Sequence, residues 1–194
     1  MIRIGILGST RGSNLNAIVD AINHQELAAT IEVVISNKID APILERATNF
    51  GIKSVFANPE GLSRQAFDFY LSNLLKEHRV ELVVLIGYMR ILTPHFVANW
   101  QNRVINVHPS LLPAFSGLMD LAVHQAVLES KAMVTGCSVH YVTEIVDGGP
   151  LLVQKKCPVL QEDTPESLKL RVQQLEGKAL VEAIHKCAEI EINV

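Results

Sequence analysis

Five short runs dense in Val, Ile and Leu recur through the first half of the chain: Ile2–Leu7, Ile31–Ile35, Lys53–Phe56, Leu82–Ile86 and Val104–Val107. Apolar runs of this length, without polar alternation, suit strands buried on both faces of a parallel sheet. The stretches between them, Asn14–Asn23, Ala41–Asn49, Arg64–Glu77 and Pro94–Trp100, can each turn one apolar face inward as a helix. In the third, Ala66, Phe67, Tyr70, Leu71, Leu74 and Leu75 fall close to a 3.6-residue period. Strand–helix alternation of this kind predicts right-handed βαβ units. After Pro109 the rhythm changes. Val134–Thr143 and Leu151–Val159 read as longer strands joined through Asp147-Gly148-Gly149-Pro150, a turn sequence. A last helix is expected from Pro165 to about Ala188, with Thr164 as N-cap, Pro165 at N1 and Glu166 in the first turn.

The expected fold class is α/β: a Rossmann-like parallel sheet flanked by helices and extended by an antiparallel strand pair. No linker or repeat interrupts the 194 residues, so one domain over 1–194 is expected, with a nucleotide-binding-like half (1–108) and an extension with the C-terminal helix (109–194). A net charge of −3 gives no broad footprint for nucleic acid. No apolar run is long enough for a membrane span, and the N-terminus reads as a strand instead of a signal peptide. Cys137, Cys157 and Cys187 stand in no metal-ligand spacing. A cytoplasmic protein with reduced thiols and no metal is the economical expectation.

Three segments carry candidate chemistry. The first strand empties into Gly8-Ser9-Thr10-Arg11-Gly12-Ser13-Asn14-Leu15, where a glycine turn at a helix start offers free N–H groups to an anion. An ordinary turn with Ser13 or Asn14 as N-cap explains the same residues equally well. Asn106-Val107-His108-Pro109 follows a buried strand, so Asn106 and His108 project to the same side at its carboxyl end, where ligand sites of open α/β sheets lie. An amide and an imidazole there suit a developing oxyanion, although a satisfied strand-terminal Asn and a core His are the plain alternative. Asp147 precedes two glycines, and an Asx-turn is its default role. Against His108 its carboxylate would favour the imidazolium and raise the histidine pKa. Met89, Arg90, Ile91 and Leu92 either line an apolar slot for a flat ring or simply cover the sheet end.

Together these segments resemble the phosphoribosylglycinamide formyltransferase family. The resemblance is carried by Gly12-Ser13-Asn14-Leu15, Ser36-Asn37-Lys38, Gly87-Tyr88-Met89-Arg90-Ile91-Leu92, Asn106-Val107-His108-Pro109-Ser110-Leu111-Leu112-Pro113, Thr135-Gly136-Cys137-Ser138-Val139-His140 and Asp147-Gly148-Gly149-Pro150. Arg171-Val172-Gln173-Gln174-Leu175-Glu176 in the last helix also matches. The resemblance implies direct transfer from the co-substrate 10-formyltetrahydrofolate to the amine of glycinamide ribonucleotide, in purine biosynthesis, without a metal. Asn106, His108 and Asp147 would be catalytic, while Gly12, Ser13 and Asn14 would bind phosphate and Glu176 the ribose. Arg64, Met89, Arg90, Ile91, Leu92, Asn106, Thr143 and Glu144 would hold the folate, making 109–194 the folate side. Only small-molecule partners are implied, with the chain a monomer or homodimer. Related methionyl-tRNA formyltransferases and formyltetrahydrofolate hydrolases carry additional domains, for which the span from Met1 to Val194 is expected to leave no room. A hydrolase using water as acceptor, and a phosphometabolite-binding module, are the competing functions. Two departures stand out: Thr10 replaces a glycine common in the family, bringing Arg11 toward the phosphate, and the segment from Ala114 to His124 is longer than usual.

Overall fold

The strand–helix alternation is present in the computed structural model, which describes residues 1–192. In chain order the elements are β1 (Ile2–Leu7), α1 (Asn14–Asn23), β2 (Ala29–Ser36), α2 (Pro42–Asn49), β3 (Ser54–Phe56), α3 (Arg64–Glu77), β4 (Leu82–Leu85), α4 (Pro94–Asn99), β5 (Val104–His108), α5 (Leu121–Glu129), β6 (Val134–Tyr141), β7 (Leu151–Pro158) and α6 (Pro165–Ile192). The strands form one seven-stranded sheet in the order β3-β2-β1-β4-β5-β6-β7. The first five are parallel, while β6 pairs antiparallel with both β5 and β7. Among the described residues no helix is long and apolar enough to cross a membrane.

Period-two alternation supplies both faces from the same strands. Ile4, Ile6, Val34 and Val84 join one buried cluster with Leu15, Ile18, Leu180 and Ile184 of α1 and α6. Their neighbours Leu7, Val33, Ile35, Val83 and Leu85 join the other, with Phe67, Leu71, Phe96 and Trp100 of α3 and α4. Local chemistry sets the helix starts. The Ser63 hydroxyl accepts from the Ala66 N–H at the head of α3. The Thr164 and Ser167 hydroxyls exchange bonds with each other's backbone N–H at the head of α6, as expected for Thr164.

Several boundaries differ from the sequence expectation. β2 starts at Ala29, because Ala29 and Thr30 already pair with Ile2 and Arg3. β5 runs on to His108, because the antiparallel neighbour continues the ladder to a His108–Ser138 pair. α5 is missed by apolar periodicity, since Leu121, Ala122, Val123, Ala126, Val127 and Leu128 spread over more than one face.

Chain order reverses at β1, which has β2 on one side and β4 on the other. The crevice beyond the carboxyl ends of β1 and β4 is therefore the topological switch point, where ligands of open α/β sheets bind. The glycine turn after β1 and the Gly87–Leu92 segment after β4 both open into it.

Candidate active site

The turn after β1 is shaped by one glycine. Gly12 has φ +64°, and a Cβ there would lie 2.3 Å from Ile43 Cγ1, so the turn packs flush against α2 only without a side chain. Thr10 is accommodated by a second glycine: a Cβ on Gly87 would meet the Thr10 hydroxyl at 2.2 Å. Ser13 occupies the N-cap position of α1 with helical backbone angles and no side-chain cap bond, contrary to the capping alternative. Asn14 does not cap either. Its Nδ2 donates to Glu176 Oε2 at 2.7 Å in a buried bond that ties α1 to α6. The two residues that the resemblance assigns to phosphate and ribose are therefore direct partners. Burial pushes the Glu176 carboxyl above its ordinary pKa, against the opposing bond from Asn14. Arg11 enters the structure through its carbonyl, which accepts from Arg46 Nε at 3.2 Å. Beside this turn a groove of about 510 Å³ runs between α1 and α6, bordered by Ser13, Asn14, Gln173 and Gln174.

Ser9 links the turn to the segment after β4. Its hydroxyl accepts from the Met89 N–H at 3.0 Å and donates to Asn37 Oδ1 at 2.6 Å. Arg64 braces the same segment from α3, donating to the carbonyls of Ile91 at 2.8 Å and Leu92 at 3.1 Å. Arg90 lies over the Phe67 ring, Leu92 is buried, and Met89 and Ile91 stay 44% and 61% exposed. That leaves an apolar rim on a fixed backbone. Across the chain, the Thr143 hydroxyl donates to the Ile145 carbonyl at 3.2 Å and Glu144 is exposed.

A polar cluster with His108 and His140 buried in it lies at the end of β5. Asn106 and His108 are both there, and tertiary folding brings Asp147 against them: His108 Nδ1 is 3.3 Å from Asp147 Oδ2. On its other side His108 Nε2 lies 3.1 Å from the Phe115 carbonyl oxygen. Asp147 adopts φ +53°, and Oδ2 also accepts from the Gly117 N–H at 2.8 Å. His140 of β6 stands directly opposite Asn106 in the strand register. Its Nε2 is 3.3 Å from Asn106 Nδ2 and 3.5 Å from Asp147 Oδ1.

The electrostatics reverse one expectation. Burial lowers the His108 pKa below its ordinary value, outweighing the Asp147 carboxylate and the Phe115 carbonyl, which both pull upward. The contact with Asp147 is present, but its sign does not prevail. Burial acts on Asp147 in the raising direction, yet the polar contacts around the carboxylate, the Gly117 N–H among them, hold it below the usual range.

The approach to this cluster is rigid. Ser138 Oγ accepts from the Leu112 N–H at 2.9 Å and from Gln154 Nε2 at 2.9 Å, and donates to the Ser110 carbonyl at 2.7 Å. The Leu112–Pro113 peptide is cis. Farther on, Asp120 of the long segment pairs with Lys169 of α6. Sequence patterning points to Asn106, His108 and Asp147 but not to Ser9, Ser138 or the backbone of Phe115 and Gly117. Their roles come from hydrogen bonds that leave no compositional signature. Among the described residues no group of three or more His, Cys, Asp or Glu side chains is arranged to hold a metal. The three cysteines are buried, and none forms a disulfide among the described residues.

Residues 2–184 match the family model described as formyl transferase. Phosphoribosylglycinamide formyltransferase of Escherichia coli K12 is 42% identical over 171 residues, covering 88% of this chain and 79% of that protein. The trifunctional purine biosynthetic protein adenosine-3 of Chironomus tentans is 41% identical over 189 residues; the chain spans only 14% of its length. Among solved structures, glycinamide ribonucleotide transformylase 1 from Symbiobacterium toebii superposes with a TM-score of 0.93 at 43% identity, covering 97% of this chain and 88% of that one. Phosphoribosylglycinamide formyltransferase from Coxiella burnetii gives 0.88 at 39% identity, covering 95% and 85%.

Proposed function

The chain belongs to the phosphoribosylglycinamide formyltransferase family, and from that membership we propose that it transfers a formyl group from 10-formyltetrahydrofolate to the amine of 5'-phosphoribosylglycinamide. The observation that carries the reading is the setting of His108: a carbonyl oxygen sits 3.1 Å from Nε2 while a carboxylate backs Nδ1 at 3.3 Å. The ring is thus aimed at a carbonyl-type acceptor from one side and supported from the other. The formyl oxygen takes the direction now held by the Phe115 carbonyl.

The substrate amine attacks the formyl carbon, and the carbonyl π electrons move to oxygen, giving a tetrahedral oxyanion. Asn106 and His108 donate hydrogen bonds to that oxygen, each such preorganised donor being worth roughly 3–4 kcal/mol in the transition state. Collapse breaks the bond from the formyl carbon to the folate nitrogen. The proton lost by the attacking amine is delivered to that nitrogen, with Asp147, an anion at neutral pH by its lowered pKa, assisting through water. The phosphate binds at the Gly12–Asn14 turn with its free N–H groups and helix dipole. Glu176, already hydrogen-bonded to Asn14 beside that turn, takes the ribose. Met89 and Ile91 form the apolar rim for the flat folate ring, on the backbone that Arg64 fixes.

The test follows folate product absorbance with 10-formyltetrahydrofolate, with and without glycinamide ribonucleotide. Turnover only with the amine is expected. Turnover without it would make the chain a hydrolase, and silence in both a binding module. His108→Ala is expected to lower kcat by roughly 10²–10⁴ with KM little changed. A variant of unaltered kcat would remove His108 from the chemistry.

A further inference from the structure

His140 lies outside the group assigned to the reaction, yet it touches two of its members. It is 2% exposed on β6, and its Nδ1 is 2.9 Å from the Tyr141 carbonyl oxygen. A carbonyl only accepts, so Nδ1 carries the ring proton, and in that tautomer Nε2 presents a lone pair. The group nearest that lone pair is Asn106 Nδ2, at 3.3 Å. Asp147 Oδ1 stands farther away, at 3.5 Å, while the Gly117 N–H and His108 Nδ1 both face its other oxygen, Oδ2. An amide has two nearly equivalent orientations, exchanging its donor and acceptor ends, and only one makes this bond.

From this geometry we infer that His140 is a positioning residue that fixes which way the Asn106 amide faces. The chain of constraint is backbone to ring to amide: Tyr141 C=O selects the tautomer, the tautomer supplies an acceptor, and the acceptor takes one Nδ2 hydrogen. The second hydrogen remains for the reacting oxygen. With the amide reversed, Oδ1 would face a developing oxyanion and repel it. The cross-strand register, in which Asn106 and His140 are direct partners, holds the two side chains adjacent. The kinetic part of this inference rests on the transferase reading; the amide orientation itself does not.

Two substitutions separate the ring nitrogens. His140→Gln places an amide oxygen near the Nε2 position and keeps an acceptor for Asn106. His140→Asn keeps a donor near Nδ1 for the Tyr141 carbonyl and loses the acceptor. Expected are a kcat within about threefold of wild type for His140→Gln and a loss of at least roughly tenfold for His140→Asn, with KM for both substrates little moved. In an Asn106→Ala background, His140→Asn is expected to change kcat by less than about twofold, since the residue it acts through is gone. Losses that multiply in the double variant, or a fully active His140→Asn, would overturn the inference. Should His140→Asn fail to fold, a folded His140→Gln with lost kcat overturns it equally. An activity-free readout is the Asn106 side-chain amide pair in ¹H–¹⁵N spectra, assigned by its absence in Asn106→Ala. One proton is expected to be shifted downfield in wild type and His140→Gln; an equivalent, unshifted pair in wild type would overturn the orientation. An inactive wild type with the shifted proton would instead defeat the transferase reading alone.

Discussion

His124 offers a quantitative check on the energetics around the long segment before α5. It is 1% exposed, and its Nδ1 has no hydrogen-bond partner. Burial, reinforced by the positive charge of Lys169 and by His108 and opposed by Asp120, lowers its pKa from 6.5 to about 4. A histidine whose folded pKa is depressed is neutral in the native chain where the unfolded chain already binds a proton. Its stabilising effect is therefore complete above pH 6.5 and is lost as pH falls from 6.5 toward 4. At pH 5, about 1.5 units below the unfolded pKa, the loss amounts to about 2 kcal/mol, at 1.36 kcal/mol per unit. His124→Leu removes the titrating group and its unpartnered nitrogen together. Urea unfolding extrapolated to water at pH 7 and pH 5 measures both proteins. The variant is expected to match wild type within about 1 kcal/mol at pH 7 and to lack about 2 kcal/mol of the wild-type decline at pH 5. Glu176 acts with the opposite sign, its raised pKa favouring the folded chain as pH falls, but it is common to both proteins and cancels in the difference. Equal declines would refute the argument, because burial would then not be depressing the protonation of His124.

Two further outcomes follow from the neighbouring contacts. Ser138→Ala strips the partner from the Leu112 N–H, the Ser110 carbonyl and one bond of Gln154, so a loss of about 2–3 kcal/mol is expected in urea unfolding; a loss below about 0.5 kcal/mol, the size of an ordinary surface change, would show that the 110–114 segment is not held by this hydroxyl. Asp147→Asn removes the charge that pulls the His108 pKa upward against burial, so NMR titration of the His108 ring should place its pKa lower than in wild type, and a rise would contradict the assigned balance.

What the sequence reveals, and what it hides, divides along physical lines. Buried strands such as Ile2–Leu7 and Leu82–Leu85 are legible because both faces must be apolar. The shared direction of Asn106 and His108 is legible because strand periodicity is rigid over two residues. The arrival of Asp147 beside His108 depends on a loop that folds back over a neighbouring strand, which no local pattern encodes. Asn14 and Glu176 each suggest a ligand when read alone; their bond to each other requires the packing of α1 on α6. The net direction of the His108 shift is the instructive case: Asp147 pulls upward as the sequence suggests, and burial outweighs it. Charges can be counted in a sequence, but the loss of solvent around an imidazole 4% exposed cannot, and here that loss outweighs the nearest carboxylate.

The lowered pKa of His108 suits the proposed chemistry better than the raised one expected from Asp147 alone. In the structure Nε2 faces the neutral Phe115 carbonyl, and desolvation prevails over the attractive contacts. An oxyanion in the place of that carbonyl adds a unit negative charge at hydrogen-bond distance, in a site with little water to screen it. The balance that burial now wins by opposing charge on the ring would then be tipped by that charge, with the Asp147 carboxylate beside Nδ1 favouring the second ring proton. In the proposed reaction, hydrogen-bond donation from His108 would therefore strengthen as the formyl oxygen gains charge and be weaker while the substrate carbonyl is neutral. Rate acceleration requires this difference between transition state and ground state. A histidine held permanently cationic by its carboxylate would bind the neutral carbonyl more strongly too, and would gain less from the step that limits the reaction.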